Sequence, residues 1–252
     1  MPQTSMGFDS GEPDHERLRD HSADFTPRPV VDQFAMWLLS KLVDNECESF
    51  TMLDPAAGGG VFGQSFRAVA RKLAMESTID AYELREEERA NLERHYDAVT
   101  IGDALAIDLE RISRPGEDVW LDDDEMAYDL IATNPPFHLW KEYLIAFRHR
   151  LKPGGVLAFL GLSTWGQRSK AGVELFANED YRPWGELRIT GTLGFRGPGI
   201  NPENGKRWGT DTRNYSWWIY KPGPPPGPDW WSANAELLPG CDRRWTVRPG
   251  FD

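Results

Sequence analysis

The sequence predicts an α/β fold with a mostly parallel sheet and helices on both faces. Residues 50–60 read as a short apolar strand that runs into a glycine turn, and 61–73 follow with helical spacing. Strand, turn and helix recur in this order along the chain, which is typical of a doubly wound sheet whose ligands bind at the carboxyl ends of the strands. A chain of 252 residues accommodates one such domain with a substantial core.

Each element has a local signal. Apolar runs bounded by turn residues predict seven strands, and apolar residues at helical spacing predict the helices between them. Lys152-Pro153-Gly154-Gly155 ends the helix before the fifth strand. In Trp217-Trp218 of the last strand, we expect at least one ring to be buried. The predicted strands are 50–54, 78–82, 98–101, 128–132, 156–160, 186–190 and 215–220, and the predicted helices are 61–73, 85–95 and 139–151.

Three polar segments lie outside this pattern. Residues 1–23 lack an apolar period and are interpreted as a flexible N-terminal arm. Residues 108–126 are rich in acids and are interpreted as a solvated insertion. A metal site is the alternative there, but the acids lack the glycine and the spacing of a calcium loop, so no metal is expected. Residues 223–252 form a proline- and tryptophan-rich tail.

Acidic side chains follow three successive strands. Asp54 ends the first strand, Glu83 ends the second, and Asp103 follows the third. Each alone is typical of a solvated carboxylate. Together with the conformational freedom of the glycines at 58–60, they favour S-adenosylmethionine over a dinucleotide, because a carboxylate at Asp54 suits an ammonium group and repels a pyrophosphate. Glu83 is expected to accept hydrogen bonds from both ribose hydroxyls, and Asp103 from the adenine amino group of that cofactor.

The tetrapeptide Asn134-Pro135-Pro136-Phe137 follows the fourth strand. An Asn side-chain oxygen and a backbone carbonyl together bind the two N–H donors of an exocyclic amino group and favour a tetrahedral nitrogen with a free lone pair. The prolines stiffen the turn, and the aromatic ring offers a stacking face to a planar substrate. The alternative is a turn without chemistry, since Asn-Pro dipeptides mark many loops.

With the glycine turn before it, this tetrapeptide resembles the signature of the N6-adenine (amino) DNA methyltransferases. The resemblance extends from about Asp24 to Lys221. Thr26-Pro27 is similar to a segment that, in this family, precedes the glycine turn and packs against the methionine end of the cofactor, which gives the gamma order of motifs. The family implies a Rossmann-like S-adenosylmethionine-dependent methyltransferase fold over 24–222, with the last strand antiparallel.

The resemblance also assigns roles to residues. Gly59 and Phe137 depart from the family, where many members have a polar residue and Tyr, but Phe keeps the stacking face and loses only a hydroxyl. His138 is interpreted as a polar residue at a helix start, with a proton relay as the alternative. The resemblance implies cofactor contacts from Thr26, Asp54, Pro55, Ala56, Gly58, Glu83 and Asp103, and catalytic roles for Asn134, Pro135, Pro136 and Phe137.

The distribution of charge indicates which part of the chain would contact nucleic acid. The net charge is −12, but residues 181–252 contain ten Lys or Arg and seven Asp or Glu, a net charge of +3 that leaves −15 for 1–180. Segment 163–212 contains a loop longer than a hairpin needs, and we expect it to bind substrate rather than to be flexible filler. The candidate DNA contacts are Arg168, Lys170, Arg196, Lys206 and Arg207, with Trp165, Phe195 and Trp208 available for stacking. Arg213 belongs to the same basic cluster, in or beside the 194–212 loop.

Composition limits the setting. Cys47 and Cys241 are distant from each other, which argues against a disulfide framework and a zinc site. There is no apolar run of membrane-spanning length, so we expect a cytoplasmic protein without a membrane partner. A substantial target-recognition domain is not expected, so specificity comes from segment 163–212 or from a partner chain, or is low.

The sequence therefore predicts a methyltransferase that acts on adenine N6 in DNA after base flipping. RNA methylation at adenine N6 or guanine N2, and methylation of protein glutamine, stay open as alternatives because they share the Asn-Pro-Pro-aromatic pattern. The Thr-Pro segment favours DNA. A catalytically idle binding module is the alternative from another class, and the intact tetrapeptide argues against it.

Overall fold

The computed structural model describes residues 26–43, 47–106, 128–165, 170–178, 181–191, 193–195, 212–222 and 235–237. The predicted arm 1–23, the acidic insertion 108–126 and most of the tail lie outside the described residues. The helices are α1 Arg28–Val43, α2 Val61–Lys72, α3 Arg89–Leu92, α4 Trp140–Arg148 and α5 Lys170–Ala177. The strands are β1 Ser49–Asp54, β2 Glu76–Glu83, β3 Ala98–Ile101, β4 Tyr128–Thr133, β5 Leu151–Leu162, β6 Gly185–Arg188, β7 Tyr215–Tyr220 and β8 Ala235–Leu237.

The strands form one sheet in the order β3-β2-β1-β4-β5-β7-β6-β8. β1 pairs in parallel with β2 on one side and with β4 on the other. The strand order therefore reverses here, and a crevice opens at the carboxyl ends of β1 and β4. β7 runs antiparallel between β5 and β6, as predicted. The mostly parallel sheet and its seven predicted strands are confirmed; β8 adds an eighth strand, parallel to β6.

Helices cover both faces of the sheet, and the adjacent tryptophans of β7 show why. Trp217 and Trp218 point to opposite faces, and both are fully buried. Trp217 stacks on Phe34 of α1 with ring centroids 3.9 Å apart. Trp218 meets Phe176 of α5 edge to face at 5.5 Å. Burying these rings on two sides joins the helical layers to the sheet, and truncating either ring to Ala should cost about 3 to 5 kcal/mol of stability.

Two predicted elements differ from the structure. The helix predicted over 85–95 is a 3₁₀ turn, Glu86–Glu88, followed by the single turn of α3. After it, Tyr96 keeps a backbone hydrogen bond to Leu92 and donates its hydroxyl to the buried Asp54. β5 begins at Leu151, five residues before its predicted start, because Leu151 pairs with Tyr128 across a register shift that absorbs the Pro-Gly-Gly turn. None of the described helices is long and apolar enough to cross a membrane.

Candidate active site

A cavity of about 430 Å³ lies at the carboxyl ends of the first four strands. Its volume is typical of a site for a small molecule or a cofactor. It is lined by Thr26 and by the segments that follow the strands: residues 55–59 and 61–62 after β1, 83–85 at the end of β2, 102–104 after β3, and 134–139 after β4, with Tyr143 of α4. The glycine turn, Glu83, Asp103 and the tetrapeptide Asn134-Pro135-Pro136-Phe137 therefore meet in one cavity.

The glycine turn after β1 is held against the end of β2. The backbone N–H of Gly58 donates to Glu83 Oε2 at 2.7 Å, and the N–H of Ala57 donates to the carbonyl of Tyr82 at 3.0 Å. Gly60 has a φ of 84° and precedes α2. A side chain there would be strained, and its Cβ would lie 3.2 Å from the Leu92 side chain. The turn thus brings backbone close to the cavity in a fixed conformation.

Asp54 lies beneath this turn and does not line the cavity, contrary to its predicted place as a cofactor ligand. Its carboxyl is fully buried and accepts a 2.7 Å hydrogen bond from the Tyr96 hydroxyl. That hydroxyl in turn accepts from the N–H of Gly63 at 3.0 Å. Burial raises the pKa of Asp54 from its ordinary 3.8 to about 7, against the opposing effect of the Tyr96 hydrogen bond. A buried carboxyl needs a partner, and Tyr96 supplies it.

Glu83 and Asp103, the predicted ligands of the cofactor's ribose and adenine, both line the cavity. Glu83 Oε1 accepts from the backbone N–H and from Nε of Arg85, at 3.1 and 2.7 Å, while Oε2 accepts from Gly58. A carboxylate has about four acceptor positions, so one remains beside these three bonds. To accept hydrogen bonds from both ribose hydroxyls, Glu83 must therefore lose one of its two hydrogen bonds from Arg85. Asp103 Oδ1 accepts from the N–H of Leu105 at 3.0 Å, which fixes its side chain at the cavity edge.

The turn Asn134-Pro135-Pro136-Phe137, the predicted catalytic turn, is tied to the Thr-Pro segment. Asn134 Nδ2 donates to Thr26 Oγ1 at 3.0 Å, and the N–H of Leu139 donates to the carbonyl of Pro136 at 2.8 Å. Asn134 Oδ1 is buried and has no hydrogen-bond partner among the described residues. A few other buried side-chain nitrogen or oxygen atoms also lack a partner among the described residues, but Asn134 Oδ1 is the one that belongs to this turn. An unsatisfied buried acceptor costs about 1 to 3 kcal/mol, which makes it a candidate for binding an N–H donor.

Phe137 lies in an aromatic cluster formed by Phe137, Trp165, Phe195 and Tyr215. Trp165 and Phe195 meet Phe137 edge to face, each with centroids 6.1 Å away, and Tyr215 lies at 5.8 Å. Trp165 and Phe195 are only 5% and 6% exposed. The prediction that they stack on bases is therefore wrong for these residues, because they pack around Phe137 instead. Gly161 makes room, since a Cβ there would lie 2.1 Å from the Trp165 ring.

Two solved structures share this architecture. A protein assigned as a class I S-adenosylmethionine-dependent methyltransferase from Listeria monocytogenes matches with a TM-score of 0.56 and 15% identity, covering 88% of this chain and 68% of that chain. The methyltransferase subunit of a type I restriction-modification system from Streptococcus thermophilus matches with a TM-score of 0.53 and 16% identity, covering 81% of this chain and 46% of that subunit.

The chain has the class I methyltransferase fold. At this level of identity the likeness concerns the fold, and this chain spans less than half of the Streptococcus subunit. No protein-family model matches the chain, and neither does any curated protein sequence. In this methyltransferase fold the cavity occupies the crevice where the strand order reverses, which is where ligands bind in open α/β sheets.

The predicted DNA contacts are mostly beyond the described residues: Arg168, Arg196, Lys206, Arg207 and Trp208 lie outside them. Lys170 is described, and the structure does not bring it to the cavity. Its side chain is 91% exposed on α5 and lies 3.7 Å from Glu174. A pair this exposed contributes little to stability.

Several residues of the site escaped sequence reasoning. Leu84 lines the cavity with a large apolar side chain that is 40% exposed. The Tyr143 side chain closes the cavity from α4, with its hydroxyl 3.5 Å from the carbonyl of Pro55. An exposed apolar residue after an acidic strand end is a local signal for Leu84, whereas Tyr143 reaches the site through tertiary structure alone. Arg213, which the sequence places in the basic cluster in or beside the 194–212 loop, has its guanidinium carbon 5.7 Å from the centroid of Phe137.

Proposed function

We propose that this protein is an S-adenosylmethionine-dependent methyltransferase that methylates the N6 amino group of adenine in DNA. The observation that carries the proposal is the buried Oδ1 of Asn134, an acceptor without a partner among the described residues. Its Nδ2 is held by Thr26, so the amide orientation leaves the oxygen for an incoming N–H donor. An exocyclic amino group has the two donors that this oxygen and a proline carbonyl would bind.

The cavity residues suit the cofactor. Glu83 and Asp103 present carboxylate acceptors for hydroxyl and amino groups, and the exposed Leu84 between them offers an apolar surface to a planar ring. The glycine turn presents backbone beside them. When bound, S-adenosylmethionine supplies an electrophilic methyl group on a sulfonium. Residues 55–59, Glu83 and Asp103 would hold it, while Asp54 supports the turn from below through Tyr96 and Gly63.

The protein's own contribution to the chemistry is positioning. Asn134 Oδ1 and the Pro135 carbonyl accept the two amino N–H groups and so favour a tetrahedral nitrogen, whose lone pair is then directed out of the ring plane. The proline turn keeps both acceptors in place before substrate arrives. Phe137 provides the face on which a base would stack, and its aromatic neighbours hold the ring. Proximity supplies most of the rate enhancement, so no histidine base is needed.

The choice of DNA is supported by the bond between Thr26 and Asn134. It joins the Thr-Pro segment, which favoured DNA in the sequence, to the catalytic turn across 108 positions. The methyltransferase subunit of a restriction-modification system among the structural neighbours is compatible with this choice. RNA and protein glutamine remain the competing substrates, and they share the same requirement for an amino or amide N–H₂ group.

Tritium transfer from labelled cofactor tests the proposal. Adenine-containing DNA, DNA without adenine, structured RNA and a glutamine-containing peptide should be offered to the full chain, and labelled products should be digested and separated. We expect label in N6-methyladenine from the first substrate only. Label only in RNA or only in peptide would refute the substrate and keep the mechanism. No label in any substrate, despite cofactor binding, would favour the idle binding module.

A further inference from the structure

Arg213 lies over the ring of Phe137, at the edge of the sheet where the catalytic turn lies. It precedes β7, which is antiparallel to β5, so the start of β7 and the end of β5 lie together. Its guanidinium carbon is 5.7 Å from the Phe137 centroid, and its side chain is exposed. Within the described residues, no aromatic ring stacks parallel on Phe137: two neighbours meet it edge to face, and Tyr215 is tilted by 39°.

The spacing between the two planar groups is informative. Atoms in van der Waals contact lie about 3.5 Å apart, so a flat base held between a ring and a guanidinium needs about 7 Å. The observed distance of 5.7 Å between the guanidinium carbon and the ring centroid is longer than direct contact. It is about 1 Å shorter than the 7 Å that a base between them needs. The two groups would therefore have to separate by about 1 Å for one planar base to fit between them.

The backbone that carries Arg213 is anchored. The carbonyl of Asn214 accepts a 3.0 Å hydrogen bond from the N–H of Ser163 at the end of β5. Beneath it, Ser216 Oγ donates to the buried Glu186 at 2.7 Å and lies 2.6 Å from Ser163 Oγ. Because Ser216 has one proton and gives it to Glu186, Ser163 must be the donor of the second bond. This chain of hydrogen bonds holds the strand ends together and fixes the position from which the Arg213 side chain extends.

We propose that Phe137 and Arg213 are the two walls of a slot that grips the planar target base, so that Arg213 is a specificity-determining residue. This inference rests on the proposed function and narrows its substrate class. A guanidinium binds the π-face of a ring through both charge and planarity. A glutamine side chain has no ring to occupy such a slot. The slot therefore selects a nucleobase over a protein amide.

The test compares Arg213→Ala with Arg213→Lys and with Arg148→Ala. Arg148 is a matched control, because its guanidinium lies 5.4 Å from the Tyr181 ring and it sits at the opposite end of α4 from the catalytic turn. Arg213→Ala should raise the KM for DNA about 3- to 30-fold, the range of a cation–π contact, with kcat and cofactor affinity nearly unchanged. Arg213→Lys keeps the charge and loses the planar face, so it should recover the KM only in part. Arg148→Ala should behave as wild type.

A double-mutant cycle of Arg213 and Phe137 distinguishes joint binding of one base from a purely structural role of Arg213. If both groups hold one base, Arg213→Ala should cost little more in DNA affinity once Phe137→Ala has removed the opposite wall. Fluorescence anisotropy with an adenine-containing oligonucleotide measures that affinity without turnover. An Arg213→Ala enzyme that methylates DNA with the wild-type KM, or strictly additive losses in the cycle, would overturn the slot while leaving the proposed function intact. Wild-type transfer to peptide alone would overturn both.

Discussion

At the scale of single residues, the structure gives neighbouring polar groups different tasks. Asn134 follows β4 and Asp54 ends the neighbouring β1. Asn134 lines the cavity with an oxygen that has no hydrogen-bond partner among the described residues, while Asp54 is buried under the glycine turn. The difference comes from Tyr96, whose hydroxyl satisfies the Asp54 carboxyl from the other side. The sequence predicts a cofactor ligand at Asp54 and a catalytic residue at Asn134, but of these two residues only Asn134 lines the cavity. Sequence reasoning could not distinguish ligand from support, because the partner is 42 positions away.

Asp54→Asn should flatten the pH dependence of stability. Because the pKa of Asp54 is raised to about 7 in the folded protein, the folded state holds this proton more tightly than the unfolded state does. The stabilisation from Asp54 is therefore greatest below its ordinary pKa and is lost as pH rises toward 7. The difference in free energy of unfolding between wild type and variant, measured by urea denaturation from pH 5 to 8, should fall as pH rises and then level off.

Tyr96→Phe is the companion variant for this measurement. It removes the hydrogen bond that lowers the pKa of Asp54, so the loss of stability should extend to higher pH than in wild type. A constant difference between wild type and Asp54→Asn across the whole pH range would contradict the assignment of the raised pKa to Asp54.

At the scale of elements, strands were predictable and their exact ends were not. β4 and β7 are apolar runs buried on both faces, which is the pattern that a central strand between two helical layers requires. By contrast, β5 gains its first residues through pairing with Tyr128, and the helix predicted over 85–95 is reduced to a 3₁₀ turn and the single turn of α3. β8 has three residues and is held by pairing with β6, which leaves no periodic signal in the sequence.

Gly63→Ala tests the close packing of α2 against the Tyr96 ring. An added Cβ would lie 2.6 Å from the Tyr96 ring, which is itself fixed by Asp54. We expect a loss of about 1 to 3 kcal/mol in the free energy of unfolding, as for other overpacked sites, measured by urea denaturation. Gln64→Ala, at a partly exposed position of the same helix, is the control and should change stability by less than about 0.5 kcal/mol. If Tyr96→Ala does not relieve the cost of Gly63→Ala, the predicted clash is not its cause.

At the scale of the whole molecule, four strand ends build one site. The carboxyl ends of β1 to β4 lie side by side because the sheet is parallel there, so residues far apart in the chain line a single cavity. This convergence could be predicted from sequence, since each strand ends in an acid, a glycine turn or the predicted catalytic turn. The aromatic cluster around Phe137 could not, because its members come from segments around residues 137, 165, 195 and 215, which only the folded sheet brings together.

Cofactor should stabilise the whole domain by mass action. A ligand at 100 times its Kd adds about 2.7 kcal/mol to the free energy of unfolding when it binds only the folded state. S-adenosylmethionine or its demethylated product should therefore raise the Tm by several degrees in a thermal unfolding assay, and Glu83→Gln should reduce the rise. NAD is the control ligand. A Tm that responds to NAD and not to S-adenosylmethionine would mean that the cavity binds a dinucleotide.

The most direct measurement is the N6-methyladenine content of DNA after incubation with S-adenosylmethionine and either wild type or Asn134→Ala. Removing Asn134 Oδ1 takes away an acceptor that matters most as the amino nitrogen becomes tetrahedral, so the rate should fall by about two to three orders of magnitude, with cofactor affinity nearly unchanged. Wild type should convert adenine to N6-methyladenine, and the variant should leave it almost unmethylated. Equal methylation by both proteins would contradict the role of Asn134, and an absence of N6-methyladenine with wild type would contradict adenine in DNA as the substrate.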